Sequence, residues 1–132
     1  MTLGERLAEL ERALTRLDEA LAIVPATDIV RDAAIQRFEF SFELAWKALG
    51  AWLAESLVVA PASPRGIIRE AYRQGLISDE ARWISLLLDR NLTSHTYREA
   101  TARVVFGRLP EHAGLLRALF ETLGRQPPTG AR

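Results

Sequence analysis

Leucines at positions 3, 7, 10, 14, 17 and 21 alternate steps of four and three, the spacing that aligns one face of an α-helix against its neighbours. Thr2 and Glu5 stand three apart in front of this run, a capping box in which each side chain satisfies a free backbone donor. Pro25 ends the first helix. Asp28 opens a second and longer one through IVRDAAIQRFEFSFELAWKALGAWLAESLVV. Its positions Ile35, Phe38, Phe42, Ala45, Leu49 and Trp52 repeat the helical step, while Phe40, Leu44, Trp46 and Leu53 broaden the apolar surface. A helix apolar on more than one side is central or lies at a subunit interface.

Pro61, Ser63 and Pro64 break the pattern. Ser63 is the expected N-cap, and Pro64 takes the first helical position, where its missing N–H costs nothing. The short helix IIREAYRQG closes at Gly75. Ser78 is expected to cap the fourth helix, with Asp79 and Glu80 in its first turn and Trp83, Ile84, Leu87 and Leu88 inside. That helix ends near Asn91. Thr96 and Glu99 form a second capping box, so a fifth helix is expected from Tyr97, with Gly107 and Pro110 breaking or kinking it midway. LLRALFETL restores the apolar period, and the tail 125–132 is expected to be disordered. No segment alternates like a strand. The pattern predicts an all-α, up-and-down bundle of about five helices in one domain, residues 1–124.

Composition narrows the function classes. The chain has 132 residues, no cysteine, two histidines and zero formal net charge. Thiolate chemistry and cysteine metal sites are excluded, no metal or cofactor is expected, and nucleic-acid contact must be local instead of a property of overall charge. No apolar run reaches the roughly 20 residues that span a bilayer, and the start MTLGERLAEL lacks signal-peptide features. A cytoplasmic protein without membrane contact is expected.

Candidate chemistry concentrates in LLLDRNLTSHTY, Leu86 to Tyr97. On a straight helix Arg90 and His95 would point about 140° apart, so they converge only if the chain bends between them. Asn91, Thr93, Ser94 and Thr96, all weak helix formers, supply such a bend. Free N–H groups around Tyr97 and Arg98 would then form an anion site beside His95. Arginine clamps phosphate and histidine exchanges protons near neutrality, which are the two needs of metal-free RNA cleavage. One histidine cannot make both proton transfers, so a two-fold dimer is a mechanistic expectation. The plainer reading is that Arg90 and His95 complement a helix dipole while the hydroxyls cap the next helix. On spacing alone the plainer reading comes first.

Arg90, four residues, His95, one residue and Tyr97 together resemble the Arg-x4-His-x-Tyr signature of HEPN-domain proteins, in particular the HepT toxins paired with MNT-type minimal nucleotidyltransferases. The segments RDAAIQRFEFSFELAWKAL, SPRGIIREAYRQGLI and LLLDRNLTSHTYREA resemble the nucleotidyltransferase substrate-binding proteins, and the likeness runs from the first helix to about Leu123. The resemblance implies a homodimeric HEPN-like bundle and an MNT-type nucleotidyltransferase antitoxin as partner. It implies RNA as substrate, Arg90 and His95 as catalytic residues, and Tyr97 as acceptor of AMP groups that silence the toxin. The alternative it leaves open is a non-catalytic substrate-binding subunit of a nucleotidyltransferase.

Asn91, Ser94 and Glu43 are supporting candidates. A polar stripe of Gln36, Glu39, Glu43 and Lys47 could face the cleft and orient Arg90 or His95, although a solvated stripe with one ion pair is the simpler account. Trp46 and Trp52 read as core, and His112 as a surface residue near a helix start. Arg65, Arg69 and Arg73 make a basic ridge whose default is a solvated face.

Overall fold

A computed structural model describes residues 1–128. Five α-helices and one 3₁₀ turn follow each other: α1 (Leu3–Leu21), α2 (Asp28–Glu55), α3 (Pro64–Arg73), α4 (Glu80–Leu92), the turn Thr93–His95, and α5 (Glu99–Arg125). No strand occurs among the described residues. The expected all-α bundle is the observed architecture. Positions 129–132 of the expected tail lie outside the described residues.

The long helices α1, α2 and α5 pack against one another, and the shorter α3 and α4 pack together across α2 and α5. The leucine stripe supplies Leu10, Leu14 and Leu17 to the core, where they meet Phe38, Phe42, Leu49 and Trp52 of α2 and Val105, Leu109 and Leu116 of α5. Each fully buried Leu or Phe side chain contributes about 1.5–3 kcal/mol by leaving water. The Trp52 indole also donates to the Gln126 carbonyl at 2.8 Å, fastening the end of α5 to α2.

Local signals account for most helix ends. Thr2 accepts from the Glu5 N–H at 3.1 Å and Ser63 from the Gly66 N–H at 3.1 Å. After α3, Gly75 takes φ 75°, with its N–H bonded to Tyr72 and that of Leu76 to Ala71, a Schellman closure.

Asp28 opens α2 as expected, with Thr27 as its N-cap. Four boundary expectations are corrected. Asp79, not Ser78, caps α4. The first helix stops at Leu21, short of Pro25. The second stops at Glu55 instead of running to Val59, because Leu57 adopts φ 61° and the Val58 N–H closes on the Leu53 carbonyl. The fifth passes through Gly107 and Pro110 without interruption. Proline inside a helix costs about 3 kcal/mol, but Val105, Leu109, Ala113 and Leu116 share one buried face and hold the register across it.

Candidate functional site

The end of α4 bends because its own side chains compete for the last helical carbonyls. Thr93 donates its hydroxyl to the Arg90 carbonyl at 2.6 Å, Ser94 to that of Asn91 at 3.2 Å, and Thr96 to that of Thr93 at 3.0 Å. Three hydroxyls thus wind the chain into the 3₁₀ turn. Thr96 is consequently not the N-cap of the next helix. Arg98 holds that position with no side-chain hydrogen bond, so α5 begins at Glu99 and not at Tyr97. The expected anion site shifts with it: the Arg98 N–H is spent on the His95 carbonyl, and the free donors of the first turn belong to Glu99, Ala100 and Thr101. The Glu99 side chain lies at this end of the helix, and hydrogen bonding and charge from Arg103 hold its carboxyl below the ordinary range.

Arg90 turns toward α2. Its Nη2 donates to Glu43 Oε2 at 3.1 Å and its Nη1 to Asn91 Oδ1 at 3.2 Å, while the guanidinium carbon stands 5.1 Å from the centre of the Phe42 ring. A guanidinium has five N–H donors, so most of this one stays available to a ligand while its plane is fixed. Glu43 also faces Lys47 Nζ at 3.8 Å. Burial, the largest influence, pulls the Glu43 carboxyl upward. The Trp46 indole N–H directed toward it, then Arg90 and Lys47, outweigh burial and hold it below its ordinary value. That indole N–H is buried and closes no hydrogen bond of ordinary geometry, so its contact with the carboxylate is a loose one.

Beside Arg90 lies an open depression of about 510 Å³ lined by Glu39, Phe40, Glu43, Arg90, Asn91, Thr93 and Ser94. His95 and Tyr97 stand apart from it on the exposed turn. Their rings meet edge to face at 6.1 Å, and the Arg98 guanidinium covers the Tyr97 ring at 5.6 Å. Tyr97 is 75% exposed. The motif therefore forms two groups within one chain: Arg90 with Glu43 and Asn91 in a cleft, and His95 with Tyr97 and Arg98 at the surface. Among the described residues no hydrogen bond joins Arg90 to His95.

A family model described as nucleotidyltransferase substrate binding protein like matches residues 5–125. The chain belongs to the nucleotidyltransferase substrate-binding protein family. It is 31% identical over 110 residues to a Haemophilus influenzae protein named probable ribonuclease HepT, across 77% of this chain and 75% of that one. The crystal structure of a Thermus thermophilus protein superposes with a TM-score of 0.79 at 47% identity, covering 88% of this chain and 97% of the other. A second solved structure, from Haemophilus influenzae and described as the fold of a substrate binding domain of a nucleotidyltransferase, superposes with a TM-score of 0.69 at 29% identity, covering 94% and 97%.

In this family member one buried group escaped the sequence reading. His112, expected at the surface, is 2% exposed; its Nε2 lies 2.7 Å from Asp89 Oδ2 and its ring stacks on Phe38 at 5.5 Å. Asp89 also receives Arg108 Nε at 3.1 Å. The signal was present in the spacing, because His112 continues the stripe Val105, Leu109, Leu116 and Asp89 follows Leu86 by three. Reading Pro110 as a break hid the first. Trp52 is core as expected, Trp46 is half-buried, and the Arg69 and Arg73 ridge is solvated and faces Glu80 and Glu70. Among the described residues no helix is long and apolar enough to cross a membrane.

Proposed function

We propose that the chain is a HepT-like toxin of a HEPN/MNT toxin–antitoxin pair: a metal-independent endoribonuclease that acts as a homodimer and is silenced when a partner nucleotidyltransferase transfers AMP to Tyr97. Arg90 binds the scissile phosphate and stabilises the charge that develops there. The ribose 2′-oxygen attacks phosphorus, the 5′-oxygen leaves, and one proton is removed as another is delivered. Each chain has one His95, so two copies across a two-fold axis supply the base and the acid. The family and the probable ribonuclease relative support this reading.

The observation that carries it is the ring contact between His95 and Tyr97 on one exposed turn. In the silencing step the Tyr97 oxygen attacks the α-phosphorus of ATP, its proton is lost and pyrophosphate leaves. The resulting adenylyl group adds a phosphate and a nucleoside directly beside His95, where they exclude an RNA phosphate. Asn91 and Glu43 hold Arg90 in plane, and Ser94 helps shape the turn.

Co-production with an MNT-type nucleotidyltransferase and ATP, followed by mass spectrometry of the peptide holding Tyr97, tests the proposal. AMP on Tyr97 accompanied by loss of RNA cleavage is expected, with Y97F escaping silencing. An unmodified Tyr97 in a tight complex of the two chains would instead support the second reading, a non-catalytic substrate-binding subunit, which the different partners of Arg90 and His95 within one chain also favour.

A further inference from the structure

Three arginines without a carboxylate partner line one groove. Elsewhere several arginines face an acid within 4 Å, among them Arg82, Arg103 and Arg117, while Arg6, Arg65, Arg98 and Arg125 form no ion pair among the described residues and lie outside this groove. Arg12 and Arg16, exposed one turn apart on α1, and Arg37, across from them on α2, form no ion pair among the described residues and line a groove of about 420 Å³ between the two helices. Arg37 Nη1 donates to the Arg16 carbonyl at 2.7 Å, which fixes its guanidinium at the groove wall and leaves other donors outward. Phe40 lies in the same groove, 54% exposed, whereas its neighbours Phe38 and Phe42 are buried at 0% and 1%. Phe40 and Glu43 also line the depression beside Arg90, so the two hollows adjoin. Glu43 is engaged by Arg90 and Lys47, which leaves Glu9 as the one groove acid without an ion pair.

We infer that this groove is a binding subsite for single-stranded RNA flanking the scissile phosphate, with a base stacked on Phe40 and phosphates held by Arg12, Arg16 and Arg37. The inference rests on the ribonuclease reading and extends it to how substrate is held. A track of cationic side chains interleaved with an exposed aromatic is what a single strand uses, because stacking is indifferent to sequence and the guanidiniums follow the backbone. A second copy of the chain seated on Phe40 would instead bury three guanidiniums without partners, at a cost in desolvation. The charge therefore favours a polyanion over an apolar face.

The test is fluorescence anisotropy of a labelled single-stranded oligoribonucleotide with the H95A chain in EDTA, which separates binding from cleavage. F40A is expected to weaken binding about tenfold and F40Y to retain it, since tyrosine keeps the stacking face. R12A/R16A is expected to weaken binding about tenfold and to reduce the salt dependence by roughly 1.4 in log–log slope, about 0.7 for each phosphate released. Circular dichroism confirms that each variant is folded. Undiminished binding by both F40A and R12A/R16A overturns the subsite while leaving the nuclease reading intact. Complete absence of RNA binding by H95A overturns both. A fall in molar mass of F40A by sedimentation, with RNA affinity per folded chain unchanged, assigns the groove to a second copy and also overturns the subsite.

Discussion

Replacing Asp89 by alanine removes the single carboxylate that joins α4 to α5 in the interior. Its Oδ2 lies 2.7 Å from His112 Nε2 and 3.1 Å from Arg108 Nε. Without it, a ring that is 2% exposed has no hydrogen-bond partner at either nitrogen, since Nδ1 already lacks one. Leaving one buried polar group unsatisfied costs about 1–3 kcal/mol, and breaking a buried charged pair about 3–5 kcal/mol. Arg108 is half-exposed and can rehydrate, so the lower part of that combined range applies, about 3 kcal/mol. For a domain of this size the loss corresponds to a fall in Tm of roughly 10 °C. H112L keeps the apolar contact with Phe38 and leaves Asp89 paired with Arg108, at a cost of about 1–2 kcal/mol. D89A/H112L removes both polar groups and is expected to cost less than the sum of D89A and H112L, with a coupling of at least about 1 kcal/mol. Urea unfolding followed by circular dichroism at constant m-value measures all three. A D89A cost under about 0.5 kcal/mol, or strict additivity in the pair, would refute the argument that this cluster locks α4 on α5.

Three further outcomes follow from particular contacts. L57G relieves a left-handed leucine that is 82% exposed and should stabilise the fold by about 1 kcal/mol in the same urea assay. E43Q frees the Arg90 guanidinium and should lower RNA cleavage at neutral pH by about tenfold to a hundredfold, the loss typical of a misplaced catalytic group, with R90A lower still. Because Glu43 is held below its ordinary 4.5, its pairing is fully present at neutral pH and is lost only as pH falls through the depressed value. Wild type and E43Q should therefore differ in Tm at about pH 7 and converge in acid, and convergence already at about pH 6 would contradict the pairing.

What could be read in the sequence was what neighbouring residues decide. The leucine stripe of α1, the Ser63–Pro64 start of α3 and the Gly75 closure each rest on interactions within a few residues, and they stand in the structure as expected. The start of α5 failed for a reason equally local but ambiguous: Thr96 and Glu99 fit a capping box, yet the Thr96 hydroxyl bonds backward to Thr93. Leu57 gave no signal, because a left-handed C-terminal closure is legible when glycine occupies it and not when leucine does. The Asp89–His112 contact spans 23 positions, and no window of helical periodicity reveals which polar side chains on two core stripes will meet. In the candidate site, the bend between Arg90 and His95 was foreseeable from helix-breaking side chains. The choice of Glu43 as Arg90's partner depended on how α2 lies against α4, which is tertiary information.

The central claim is that Arg90 and His95 cleave RNA without a metal. Its most direct measurement is the rate at which the purified chain cuts single-stranded RNA in EDTA, compared with H95A and R90A prepared identically. Cleavage by wild type with losses of about a hundredfold or more in each variant is predicted, in line with removal of a proton-transfer group or of a charge-stabilising donor. Equal rates in wild type and H95A, or wild-type cleavage abolished by EDTA, would contradict it.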